Sequence, residues 1–300
     1  MTNTSPTPTK SNPLVTRIVL LVALIALFIG LNVLYTLFAN PNRLSTGEAG
    51  QLIYAAGFDG FTDEWQQFEG RYNATIADGV MQMSVETADT IYTSAPPVLA
   101  DFDVRVTVRA TDGIMENEGH GIIFRLDEDE NEGTCQRDWV ILCALERLPY
   151  VNTAISLAFP IDQTRGFYMF VISNDGFYKL MKSNPETGIA EDVTIWHDSQ
   201  GILNVGIGEY NQIRIVGQGN QFRFFLNDEL LTLCVPLEGQ QPTGSASDCL
   251  GTETTVWEDD SFSQGKIGLV LNSTGAGDVV EFDNFTIIVP DEMIIEGDNA

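Results

Sequence analysis

Positive charge is scarce in this chain: 15 Lys and Arg stand against 42 Asp and Glu, giving a formal net charge of −27 at pH 7. None of the basic residues forms a run. Nucleic-acid binding needs clustered Lys and Arg to displace the counterions of a phosphate backbone, so that class of partner is excluded. Histidine is rarer still, with only His120 and His197, and there is no HExxH, no GxSxG and no P-loop. The zinc-hydrolase, serine-hydrolase and phosphate-cradle signatures are therefore missing. Only four cysteines occur, none in a CxxC, which argues against zinc and redox chemistry. No stretch of ten residues reads as an amphipathic helix and no repeat of fixed period is present.

What the chain does have is one long apolar run. Ile18 to Phe38 is 21 residues without a charge; at ~1.5 Å per helical residue it spans ~31 Å, close to the hydrocarbon thickness of a bilayer. Signal peptides have shorter apolar cores and a small-x-small cleavage site. The only candidate here, Leu37-Phe38-Ala39, lacks the first small residue, so an uncleaved anchor is favoured over a cleaved signal. Lys10 and Arg17 precede the span and only Arg43 follows it closely, which puts the N-terminus in the cytoplasm and the rest outside. Residues 1–17 read as a cytoplasmic tail, disordered where Thr, Ser, Asn and Pro offer nothing to bury. The expected order is then a transmembrane helix over 18–38, a linker over 39–51, one domain over 52–289 and an acidic tail over 290–300.

Beyond the span the pattern is β. Phe102, Val104, Val106 and Val108 alternate with Asp103, Arg105, Thr107 and Arg109, a period of two that buries one face and wets the other. His120 to Leu126, and Ile213 to Leu226 around a turn at Gly217 to Asn220, repeat it. Further strands are expected over 51–58, 80–85, 155–159, 166–172, 177–181, 229–235, 266–272 and 279–288. A dozen strands with one apolar face each predict an all-β fold of two antiparallel sheets packed face to face, a jelly-roll-like sandwich, with a closed barrel as the alternative. The cysteines fall into two close pairs on the side assigned to an oxidising compartment, and the simplest disulfides join Cys135 to Cys143 and Cys234 to Cys249. Trp65 reads as a core plug. Asn73, Asn272 and Asn284 open N-x-S/T triplets, which matter only in a glycosylating host.

The phrases FDGFTDEW, DFDVRVTVRA, GHGIIFRL, FYMFVISNDGFYKL, NQIRIVGQGNQFRFFLNDEL, GKIGLVLN and VVEFDNFTI, in that order, resemble the concanavalin A-like lectin/glucanase superfamily, especially its laminin-G-like and keto-disaccharide-hydrolase-like sandwiches. The resemblance covers roughly residues 52 to 289. It implies pairing of the first and last strands, which brings Phe58 and Asp59 near Phe282 and Asp283, and glycan binding on a sheet or its rim. Glucanases of this superfamily carry an E-x-D-x-x-E strand whose carboxylates share one cleft. Here the matching residues are Glu281, Asp283 and Thr286, and the last acid is missing, so that catalytic machinery does not carry over.

Two sets of candidate site residues follow. For glycan recognition, which needs an aromatic ring and a few planar polar groups, Trp139, Trp196 and Trp257 lie in polar contexts, and Arg105, Arg109 and Arg125 should share the polar side of neighbouring strands. For calcium, Asp127, Asp129, Asn131 and Asp138 place oxygens at alternate positions in DEDENEGTCQRD, although a solvated acidic loop accounts for them as well; Asp59 with Asp283 is a second calcium candidate that rests on the implied pairing. The sequence predicts a membrane-anchored extracellular domain that binds carbohydrate or a cell-surface protein without catalysis. A glycoside hydrolase using an acid pair from separate strands, or a structural envelope subunit, stands as the alternative.

Overall fold

Alternation of one inward and one outward residue decides nearly every element of the computed structural model, which describes residues 47–60, 64–113, 119–127, 166–184, 189–237, 239 and 249–291. The expected membrane span, the N-terminal tail and most of the linker and acidic tail lie outside these residues, as do the expected strand over 155–159 and both Cys135 and Cys143. Among the described residues no helix is long and apolar enough to cross a membrane.

In chain order the strands are β1 (Leu52–Ala56), β2 (Tyr72–Ala77), β3 (Val80–Val85), β4 (Asp89–Ser94), β5 (Phe102–Asp112) and β6 (Gly119–Leu126). Next come β7 (Tyr168–Ile172), β8 (Phe177–Ser183), β9 (Ala190–Asp192), β10 (His197–Asp198), β11 (Asn211–Gln218) and β12 (Gln221–Leu226). The last six are β13 (Glu229–Leu230), β14 (Leu233–Val235), β15 (Thr252–Thr254), β16 (Trp257–Glu258), β17 (Lys266–Ser273) and β18 (Asp278–Ile288). Nine strands form one sheet in the order β13-β12-β11-β5-β18-β3-β2, with β1 added on β18 and β16 on β12. Seven form the other, β10-β8-β7-β6-β17-β4 with β9 on β8, and β14 pairs with β15 alone. Every pairing is antiparallel. The sheets share no strand, so the structure is the expected sandwich and not the closed barrel.

The two inner faces meet in one core. Phe102, Val104, Val106 and Val108 of β5, Phe282 and Ile287 of β18 and Phe222 and Phe224 of β12 supply one side; Ile122, Phe124, Phe170 and Leu269 supply the other, all essentially unexposed. Phe170 stacks on Phe224 with centroids 4.9 Å apart, and Phe124 meets Phe102 edge-on at 5.9 Å. Each such side chain contributes ~1.5–3 kcal/mol by leaving water, and a one-residue slip of any strand would turn its set outward. Trp65 is the core plug its position suggested: it is 3% exposed, meets Phe285 edge-on at 5.1 Å and donates its indole N–H to the Tyr54 hydroxyl at 2.9 Å.

β1 pairs with β18, Leu52 opposite Ile288 and Ala56 opposite Phe285, so the first and last strands adjoin as the resemblance implied. The β2–β3 hairpin turns in two residues, Asp78 and Gly79, with φ of 52° and 81°, the both-positive pattern that an Asp-Gly pair favours in a tight hairpin. The expected strand over 229–235 is divided: β13 continues the nine-stranded sheet, while β14 leaves it to pair with β15, where Cys234 and Cys249 form the predicted disulfide.

Candidate functional site

β5 and β11 lie side by side near the middle of the nine-stranded sheet, flanked by β12 and β18, and their outward residues build a ladder of guanidinium groups. Register fixes the rungs: Arg105 on β5 stands directly opposite Arg214 on β11, which stands opposite Phe225 on β12, while Thr286 on β18 faces Arg105 from the other side. Two residues along β5, Asp103 lies beside this pair with its side chain only 4% exposed. Arg214 takes the Asp103 carboxylate in a fork, Nε to Oδ1 at 2.9 Å and Nη2 to Oδ2 at 2.8 Å. That hydrogen bonding, against the opposing pull of burial, raises the Arg214 pKa further above its ordinary value. Arg105 reaches the same carboxylate only at 3.6 Å, and its Nε is enclosed without a hydrogen-bond partner.

Four residues along β5 the pattern is closed differently. Arg109, opposite Glu281, donates from Nε at 2.7 Å and Nη2 at 2.6 Å to one oxygen of that carboxylate. Its guanidinium lies 4.7 Å from the ring of Tyr210, which is 53% exposed, just as Arg214 lies 4.7 Å from the ring of Phe225. Such guanidinium–ring contacts hold the charge flat on the sheet.

β18 brings its acidic pair to the same face through a bulge. Asn284 has φ of 54° and the register with β5 shifts between Asp283 and Thr286, so Phe285 faces the core and Glu281, Asp283 and Thr286 all face outward. Both acids are engaged locally: Glu281 by Arg109, and Asp283 by the Asn284 backbone N–H at 2.6 Å and side-chain amide at 3.0 Å. Asp59, expected to join Asp283, sits against the β2–β3 turn, where a Cβ on Gly79 would come within 2.3 Å of its Oδ1. Among the described residues no three His, Cys, Asp or Glu group to hold a metal. Asp127 follows β6, its N–H bonded to the Gly166 carbonyl at 2.9 Å, while Asp129, Asn131 and Asp138 lie outside the described residues.

The structure separates the remaining candidates. Arg125 is not on the polar face: a register shift in the β6–β17 pair and a φ of 52° turn it inward, where it is 1% exposed. Its guanidinium donates to the carbonyls of Phe262 at 2.6 Å, Ala100 at 2.5 Å and Gly219 at 2.7 Å and lies 5.2 Å from the Phe222 ring. Burial lowers its pKa. β6 belongs to the seven-stranded sheet, so Arg125 would miss the Arg105 face even without the bulge, which turns it from that sheet's outer side into the interior. Trp257 is a core residue, 5% exposed and edge-on to Tyr168 at 5.0 Å, so its ring is covered. Trp196 belongs to the opposite side of the molecule, packed on a second apolar layer of Ile123, Met169, Val171 and Val270 on the outer face of the seven-stranded sheet. There Lys179 lies 5.2 Å from its ring and pairs with Asp192 at 2.7 Å. Trp139 lies outside the described residues. Of the five predicted ligand residues that are described, only Arg105 and Arg109 share a face; their partners Arg214, Tyr210 and Phe225 were not anticipated, because sequence shows that Arg214 alternates outward but not that β11 lies next to β5.

No family model matches the chain. No curated protein matches it either. Among solved structures it is similar to the carbohydrate-binding module CBM66 from Bacillus subtilis, at 16% identity over 75% of this chain and 94% of that one, with a TM-score of 0.44. It is also similar to a Bacillus subtilis protein of unknown function with a galectin-like fold, at 12% identity over 81% and 99%, TM-score 0.43. A third is the Bacillus licheniformis β-glucanase, at 10% identity over 82% and 100%, TM-score 0.43. At these identities and scores nothing about ligand or reaction passes from those proteins to this chain.

Proposed function

We propose that this chain is a single-pass membrane protein, N-terminus inside, whose extracellular sandwich binds carbohydrate, or another partner at the cell surface, without catalysing a reaction. The observation that carries the reading is the outward face of the nine-stranded sheet. There planar donors (Arg105, Arg109, Arg214) and neutral hydroxyl and amide groups (Thr107, Thr286, Gln212) lie together on strands, with the exposed Tyr210 ring just before β11 beside Arg109. Sugar recognition asks for planar polar groups that fix hydroxyls and an apolar ring face beside them, and strands hold such groups more firmly than loops do. The non-catalytic part rests on the acids. Glu281 and Asp283, the pair that the glucanase pattern would use, are each tied to a neighbouring donor, and Thr286 stands where a third carboxylate would be needed.

A glycan array probed with the full-length chain, with and without chelator, tests the reading. Binding to a sugar class supports it, and the chelator arm shows whether calcium is needed. Shortening of a polysaccharide without measurable binding would reverse it in favour of a hydrolase. Protease shaving of intact cells that removes the C-terminal domain supports the orientation; full protection would contradict it.

A further inference from the structure

Arg105 and Arg214 form a directly opposed pair of like charges, an arrangement that ordinarily weakens a sheet. Its expected remedy is an anion for each guanidinium, yet one carboxylate serves both. Asp103 gives Arg214 two bonds of 2.9 and 2.8 Å and Arg105 a single approach of 3.6 Å. Arg214 is further matched by Asp228 and Asp291. Around Arg105 the cross-strand neighbour on β18 is Thr286 and the next outward residue on β5 is Thr107, both neutral, and the acid opposite Thr107, Asp283, is engaged by Asn284. The Arg105 side chain keeps 37% of its surface exposed, while its Nε is enclosed and has no hydrogen-bond partner, which leaves the terminal nitrogens as the part a ligand can reach. An unsatisfied polar group in a native fold calls for an explanation, and local sequence rules fail most often where a ligand is meant to complete the arrangement.

We propose that a carboxylate of a uronic-acid glycan completes it, with Arg105 as the residue that receives the charge. This rests on the carbohydrate reading and names the ligand class of the same face. A carboxylate is favoured because the fold already pairs this ladder with one: Asp103 lies beside these guanidiniums with two planar oxygens, and a second carboxylate on the open side of Arg105 meets its terminal nitrogens, the end-on form of the fork that guanidinium groups prefer. The hydroxyls of Thr107 and Thr286 flank that position and suit a ring bearing further hydroxyls. Arg109, roughly 13 Å away along the strand, and the Tyr210 ring beside it extend the surface to a second sugar. Nucleic acid, which needs many released counterions, does not fit a chain whose net charge is −27.

The experiment titrates the full-length chain with oligogalacturonate, with the same oligosaccharide after reduction of its carboxyl groups to alcohols, and with sulfated dextran, by calorimetry at fixed salt. Loss of one charge-assisted bidentate contact corresponds to roughly a 10- to 100-fold change in affinity. The acid form should bind tighter than the reduced form by that factor. R105Q should lose the same factor towards the acid form, R105K should recover part of it, and the thermal midpoints of both variants should stay at the wild-type value. Equal affinity for the acid and reduced forms, or an R105Q affinity equal to wild type, overturns the uronate assignment and leaves carbohydrate binding standing; so does a preference for the sulfated polymer. Failure to bind any of the three overturns the assignment together with the carbohydrate reading. Should R105Q fail to fold, the acid-against-reduced comparison in the wild type still decides.

Discussion

Replacing Arg125 with methionine is the sharpest test of how the sandwich is closed at one end. The guanidinium ties Ala100, Gly219 and Phe262 through three carbonyls, with distances of 2.5 to 2.7 Å. These carbonyls lie just before β5, in the β11–β12 turn and just before β17; the first and last of these connections also meet in the Leu99–Gly265 backbone bridge, and the guanidinium ties the turn to both. Methionine keeps an apolar stem over Phe222 and removes every donor. Each carbonyl left without a partner costs ~1–3 kcal/mol. The guanidinium's own desolvation, which burial shows as a lowered pKa, is relieved by the change and offsets part of that loss. The balance is a destabilisation of about 3 kcal/mol, which for a domain of this size lowers the melting temperature by roughly 6–12 °C. Thermal and urea unfolding of the full-length wild type and R125M measure it. Arg125→Lys, which retains the charge but not the fork, should recover less than about half. A midpoint within about 2 °C of wild type, or above it, would show that the three carbonyls find other partners and that the inward arginine is not what holds the loops.

Two further outcomes follow from the buried chemistry. Burial pushes the pKa of His120 down from 6.5 to about 4, with the Asp278 carboxylate opposing. The unfolded chain therefore takes up the proton first: stability is complete above pH 6.5 and is lost towards pH 4 by roughly 3 kcal/mol in all, and H120N should flatten that slope in urea titrations between pH 7 and 4.5. Equal slopes in the two proteins would contradict it. The Cys234–Cys249 bond closes a separation of 15 residues, so the double serine variant should lose about 3 kcal/mol with the β14–β15 ladder still formed, and a loss under about 1 kcal/mol would place the loop's order elsewhere.

Much of the sandwich is legible in the sequence because strands such as β5, β11 and β12 put an apolar side chain at every second position. β2 and β4 are not. The inward residues of β2 include Ala74, and β4 presents Ile91 with Thr93, whose hydroxyl donates to the Gln66 carbonyl at 2.8 Å, so their buried faces carry too little hydrophobic contrast to read. The Asp78-Gly79 turn was the available signal for β2. The site was half legible. Alternation places Arg105 and Arg109 on one face, but Arg125 sits on a strand of the other sheet and is turned inward by a bulge, and whether Arg214 joins them depends on which strand neighbours β5. Both are tertiary facts that a local period cannot carry. Trp257 misleads for a related reason: the acidic residues after it, Glu258, Asp259 and Asp260, make its surroundings look solvated. Asp259 is in fact tied to Tyr168 at 2.5 Å and Lys182 at 2.7 Å, and the indole behind it is core.

Amide hydrogen exchange of the full-length chain, with and without a glycan that binds, tests the location of the site most directly. New protection should appear on residues 103–109, 212–216 and 281–286, the strands that carry the guanidinium ladder, with the opposite sheet unchanged. Protection confined to residues around Trp196 and Val171, on the outer face of the seven-stranded sheet, would contradict the account.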